Sequence, residues 1–118
     1  MSGFNRTDRI ADEIKRIVSE LLEREVRDPR VGFVTVMDVE VTADLSYATV
    51  YVTPGEGEEG GDVLAGLTAA SGFLRRRLGE SIQLRHIPEL RFREDTSIER
   101  GFRMDSLLRQ LAEERGDD

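Results

Sequence analysis

The sequence predicts an α+β domain, on three observations. Apolar residues recur at helical spacing from Ile10 to Val26, two β-rich runs follow with only five residues between them, and a second helical pattern leads into a final alternating segment. The expected order is therefore helix, strand, strand, interrupted helix, strand and a short C-terminal helix, with helices covering one face of a three-stranded sheet. A chain of 118 residues suits a single domain, which buries roughly two thirds of its unfolded surface on folding.

Ile10, Ile14, Ile17, Val18, Leu21, Leu22 and Val26 define the inner stripe of the first helix, with Asn5 or Thr7 as its cap. On its outer face Asp12/Arg16, Glu20/Arg24 and Glu23/Arg27 have the spacing of acid-first ion pairs. Pro29 biases Asp28 away from helical angles and predicts the stop there. Val31 to Val41 and Tyr47 to Thr53 are dense in β-branched residues, and the connection Thr42–Ser46 predicts an antiparallel hairpin. Alternation puts Ala48, Val50 and Val52 on the core face and leaves Tyr47 and Tyr51 on the open one, suited to cross-strand packing or to stacking on a base.

Pro54 to Asp62 contains four glycines and four acids without a large apolar residue. It reads as a mobile surface loop whose charge repels phosphate, and it carries no phosphate-cradling motif. The second helix is marked by Val63, Leu64, Leu67, Ala70, Leu74 and Leu78, and Gly79 is the expected stop. Ser71-Gly72 falls inside it. A Ser-Gly pair is a recognised cause of a bend, and a tight bend frees backbone amides, turns a positive helix end outward and leaves no room for a Cβ at Gly72. Leu84 to Glu94 is the third strand, with Pro88 at an early bulge or edge position and Leu90 and Phe92 facing inward. Thr96 and Glu99 have capping-box spacing ahead of Met104, Leu107, Leu108 and Leu111, which predicts the last helix over about 96–114 and an acidic frayed tail.

Charge is distributed unevenly along this framework. The chain as a whole is −7, yet Ala70 to Arg93 carries six arginines against two glutamates. Such a basic segment on an acidic background is the sequence footprint of nucleic-acid contact or, equally, a solvated helix face. The basic side chains are 16 Arg and one Lys, and the planar guanidinium both forks onto phosphate and stacks on bases. The candidates for nucleic-acid contact are Ser71, Gly72, Arg75, Arg76, Arg77, Arg85, Arg91 and Arg93.

Enzyme chemistry has little to work with. There is no cysteine and a single histidine, His86, so nucleophile and base pairs have no supporting motif. Asp28, Asp44 and Asp95 sit where turn and cap duty accounts for them, and no spacing gathers them into a metal site. No cofactor is expected. Cysteine-free composition and the lack of an apolar run long enough for a signal or a membrane span predict a cytoplasmic protein.

Short matches spread over nearly the whole chain also make it resemble the ribosome-binding factor A family. They are the first helix running into Asp28-Pro29-Arg30, then Asp44-Leu45-Ser46 with Tyr47-Ala48, Ala70-Ser71-Gly72-Phe73-Leu74-Arg75, Leu84-Arg85 with Pro88-Glu89-Leu90, and Asp95 with Ser97. The resemblance implies a single type-II KH-like domain over 1–118, with a core of about 5–94, in which an Ala-x-Gly kink at Ala70-Ser71-Gly72 replaces the usual loop. It further implies binding to 16S rRNA in the immature 30S subunit, a part in maturing the 5′ end of that RNA, importance in the cold, action as a monomer and release by an assembly GTPase. Overall acidity departs from the basic members of the family and shifts weight from generic RNA affinity to the shape of the ribosomal site. The alternative is a protein-interaction module that uses the open face of the sheet.

Overall fold

The computed structural model describes residues 5–96. Five elements follow one another: α1 (Arg6–Arg24), β1 (Val34–Val41), β2 (Tyr47–Pro54), α2 (Gly60–Ser81) and β3 (Glu89–Glu94). The sheet has the order β1-β2-β3, antiparallel between β1 and β2 and parallel between β2 and β3. The C-terminal helix expected over 96–114 lies outside the described residues.

Asn5 caps α1 through a complete capping box. Its side chain accepts from the Asp8 amide at 3.1 Å, and the Asp8 carboxylate accepts from the Asn5 amide at 3.0 Å. The helix ends at Arg24, earlier than Pro29 alone required, because the Glu25 and Val26 amides close on the Leu21 carbonyl. None of the three acid-first pairs forms among the described residues; Arg16 turns toward Glu20 instead, at 3.7 Å.

Asp28-Pro29-Arg30 is a tight turn in which the Asp28 carboxylate accepts from the Arg30 amide at 2.9 Å and from its guanidinium at 3.1 and 2.7 Å. Val31, predicted as the first strand residue, is a buried turn residue instead. It packs so closely on α2 that a Cβ on Gly66 would lie 2.9 Å from Val31 Cγ2 and 3.1 Å from Arg30 Cβ. The strand begins three residues later, at Val34.

A bulge between Val36 and Asp38 shifts the register of β1 by one residue. Strict alternation would send Val39 to the opposite face from Val36; the extra residue, Met37, lets both reach the core. On β2, Ala48, Val50 and Val52 are fully buried beneath the helices, as the alternation predicts. They meet Ile14 and Val18 of α1 and Leu67, Leu74 and Leu78 of α2 in one core, each side chain of this size contributing about 1.5–3 kcal/mol.

In the Thr42–Ser46 turn, Asp44 accepts from the Ser46 amide at 3.0 Å and from the Thr42 hydroxyl at 2.8 Å, while Leu45 takes a left-handed φ of 62°. The acidic loop is shorter than predicted, since Gly60, Gly61 and Asp62 already belong to α2. Gly79 does not end α2, which runs on to Ser81. Leu84–Pro88 connects rather than pairs: β3 starts at Glu89, and Pro88 is fully buried just before it. With β3 at the sheet edge, the missing amide of Pro88 breaks no ladder.

Candidate nucleic-acid interface

The helix that carries most of the candidate residues is continuous through Ser71 and Gly72, where the sequence predicted an interruption. Gly72 is not among the glycines with positive φ, and a Cβ built on it meets no atom within 4 Å. The expectations of freed amides and of a crowded Gly72 are therefore both overturned. Ser71 satisfies its hydroxyl by donating to the Thr68 carbonyl at 2.7 Å, a back-bond that can curve a helix without breaking it. What Gly72 provides is bare backbone on the solvent side of α2. Thr68, Gly72 and Arg76 lie four residues apart on that side, with Arg75 and Gly79 beside them, and all five are exposed.

Arg75, Arg76 and Arg77 do not form one patch. Consecutive residues on a helix turn by about 100°, so the run is spread around half of α2. Arg75 leans toward β3 and donates to the Ile87 carbonyl through Nε at 3.1 Å and Nη2 at 2.7 Å. Arg76 points outward and has no ion pair among the described residues. Arg77 turns the other way, to α1, and grips both Glu25 oxygens at 3.0 and 3.1 Å while also pairing with Glu80. Hydrogen bonding to Glu25 and the charges of Glu25 and Glu80 raise its pKa further, so it is permanently charged but locally neutralised. It closes a cleft of about 350 Å³ between the ends of the two helices, lined also by Arg16, Glu20, Arg24 and Ser81.

Arg85 lies exposed in the α2–β3 connection next to His86, which is likewise in this connection and not on a strand. Arg91 and Arg93 alternate with Leu90 and Phe92 along β3, and because Leu90 and Phe92 pack on the core, both arginines belong to the sheet face opposite the helices. There Arg91 lies over the Tyr47 ring, 3.6 Å from its centroid. The eight candidates thus fall into an α2 face (Ser71, Gly72, Arg75, Arg76), an interhelical tie (Arg77), a loop (Arg85) and the open sheet face (Arg91, Arg93). Sequence reasoning missed the stack on Tyr47, because the pairing register of parallel strands leaves no local signal. It also missed Phe33, 85% exposed beside the acidic loop. Among the described residues no three His, Cys, Asp or Glu side chains come together to hold a metal ion, and no helix is long and apolar enough to cross a membrane.

A family profile described as ribosome-binding factor A matches residues 6–108. The chain belongs to the ribosome-binding factor A family. A ribosome-binding factor A of Aromatoleum aromaticum is 50% identical over 109 residues, covering 92% of this chain and 86% of its own. The crystal structure of ribosome-binding factor A from Thermus thermophilus superposes with a TM-score of 0.70 at 27% identity, over 75% of this chain and 93% of that one. A homology model of the Thermus thermophilus factor, fitted into the cryo-electron microscopy map of a 30S–RbfA complex, gives a TM-score of 0.60 at 31% identity, over 70% of this chain and 88% of that one. The helix–hairpin–helix–strand order described above is the KH-like fold of ribosome-binding factor A structures.

Proposed function

We propose that this protein binds the immature 30S subunit at its 16S rRNA and assists late maturation, including processing of the 5′ end of that RNA. In this reading it acts in the cytoplasm as a monomer, matters most in the cold, and is released with the help of an assembly GTPase. The observation that carries the reading is the solvent face of α2, where Gly72 offers backbone unscreened by a side chain and Arg75 and Arg76 flank it. A polynucleotide approaches the main chain there more closely than over any larger residue, with guanidinium groups in reach of its phosphates. Further support is the family membership, together with the relative fitted into the 30S complex. Nothing in the reading requires catalysis.

Phe33, exposed at 85% next to the acidic loop, favours a second reading in which the main partner is a protein. Co-sedimentation with purified 30S subunits at increasing salt separates the two. Phosphate contacts make log affinity fall steeply with log salt, and replacing Arg75 and Arg76 with Glu should weaken binding strongly at every salt concentration and flatten that slope. Subunit binding that is insensitive to salt and to both substitutions, but lost in Phe33→Ser, would replace the RNA reading with the protein one.

A further inference from the structure

The two tyrosines that alternate onto the open face of the sheet have separate fates. Tyr51, in the middle of β2, is buried, whereas Tyr47, at the start of the same strand, is 36% exposed. The Arg91 guanidinium covers the Tyr47 ring, 3.6 Å from its centroid, although in register Arg91 stands opposite Thr49 and Tyr47 opposite Glu89. The arginine therefore reaches diagonally across the strand pair to lie on the ring, and its side chain is still 56% exposed. Glu89 Oε2 is 3.7 Å from Arg91 Nε, too far for a good hydrogen bond, so it offsets some charge without turning the guanidinium off the ring. With its central carbon over the ring and more than half of its side chain exposed, Arg91 leaves guanidinium surface open to solvent on the side away from Tyr47.

We propose that Tyr47 and Arg91 form a base-stacking platform for single-stranded RNA on the sheet face away from α2. An unpaired base adds to the solvent side of Arg91 and extends the stack, and Arg93 on the same face of β3 is placed to meet the strand's phosphates. The connection before β3 links the platform to the α2 face around the sheet edge. Arg75 is anchored on the Ile87 carbonyl, Arg85 is exposed in the same connection, and Ile87 precedes Arg91 by four residues, roughly 13 Å of extended chain. A strand lying on α2 can thus pass the sheet edge and end on Tyr47 and Arg91. Glu89 offsets part of the Arg91 charge, so at Arg91 stacking rather than phosphate attraction decides binding, and unstacked bases are favoured over duplex backbone. The inference rests on the reading that the ligand is small-subunit RNA.

The test is co-sedimentation of the full chain and its variants with 30S subunits that lack the factor, combined with ultraviolet crosslinking mapped to RNA or protein. Tyr47→Leu and Arg91→Lys should each weaken binding by about fivefold to a hundredfold, the range expected for one stacked base, while Tyr47→Phe, which keeps the ring, should bind nearly as well as wild type. Crosslinks from this face should map to rRNA. Arg91→Lys retains the charge and loses the planar face, so wild-type binding by that variant overturns the platform; as an exposed edge substitution it also decides the matter if Tyr47→Leu folds poorly. Crosslinks that map to a ribosomal protein overturn it equally. Wild type that fails to co-sediment sinks the proposed function itself, whereas wild type that binds and responds to Arg76→Glu but not to Tyr47 or Arg91 changes sinks only the platform.

Discussion

Replacing Gly72 with alanine should make the protein more stable and a poorer binder at once. Gly72 sits in the interior of a 22-residue helix, does not have positive φ, and a Cβ there meets nothing within 4 Å. Nothing in the folded state opposes the methyl group, so the gain should be the ordinary Gly-to-Ala helix difference of about 0.5–1 kcal/mol. For a domain of this size that raises the thermal midpoint by roughly 3–5 °C, readily seen by circular dichroism. Gly66 is the internal control. It lies on the same helix, but its Cβ would lie 2.9 Å from Val31 Cγ2 and 3.1 Å from Arg30 Cβ. Val31 is buried and stiff at χ1, so overpacking should outweigh the propensity gain and Gly66→Ala should lose about 1–2 kcal/mol. In subunit co-sedimentation Gly72→Ala should bind more weakly, since its methyl stands where RNA would approach the backbone. A Gly72→Ala protein that melts below wild type would refute the description of Gly72 as an unstrained, open position. One that is stabilised and binds normally would remove Gly72 from the interface.

Three further outcomes are expected. Among single arginine-to-alanine variants, Arg76 should lower subunit affinity without moving the thermal midpoint, while Arg77 should lower the midpoint slightly and cost little affinity, because its guanidinium already belongs to Glu25 and Glu80. Arg75→Ala should reduce affinity and also raise proteolytic nicking between Ile82 and Pro88, where its two bonds to the Ile87 carbonyl hold the connection, as mass spectrometry of a limited digest would reveal. Hydrogen bonding from Arg30 lowers the Asp28 carboxyl from its usual 3.8 to about 2. A depressed carboxylate favours folding above its unfolded pKa and loses that contribution as pH falls through the folded one. The Asp28-Pro29-Arg30 turn should therefore loosen between about pH 4 and pH 2, and an NMR titration should find the Asp28 midpoint raised toward the ordinary range in Arg30→Ala, which removes the guanidinium bonds and keeps the backbone one.

The order of α1 to β3 and the inward faces of α1 and β2 could be read from residue order alone. Helical spacing in α1 named Ile10, Ile14, Ile17, Val18, Leu21 and Leu22 as core, and two-residue alternation in β2 named Ala48, Val50 and Val52; all are buried, because those periods are properties of the local backbone. Short motifs also carried the family, since their order along the chain is itself sequence information. Element ends were less legible. Val31 belongs to a turn packed on Gly66, and α2 passes Gly79 to end at Ser81, because tertiary contacts and helix continuity outweigh a single glycine's cost of about 1 kcal/mol. The candidate site was legible only as a list of arginines. Their adjacency in the chain became separation in space, since a helix turns each residue by about 100° from the last: Arg75 went to β3, Arg76 to solvent and Arg77 to Glu25. Conversely, Tyr47 and Arg91 lie far apart in the chain and became stacked partners through the parallel register of β2 and β3, a pairing that depends on how α2 spans the sheet and that no local pattern encodes.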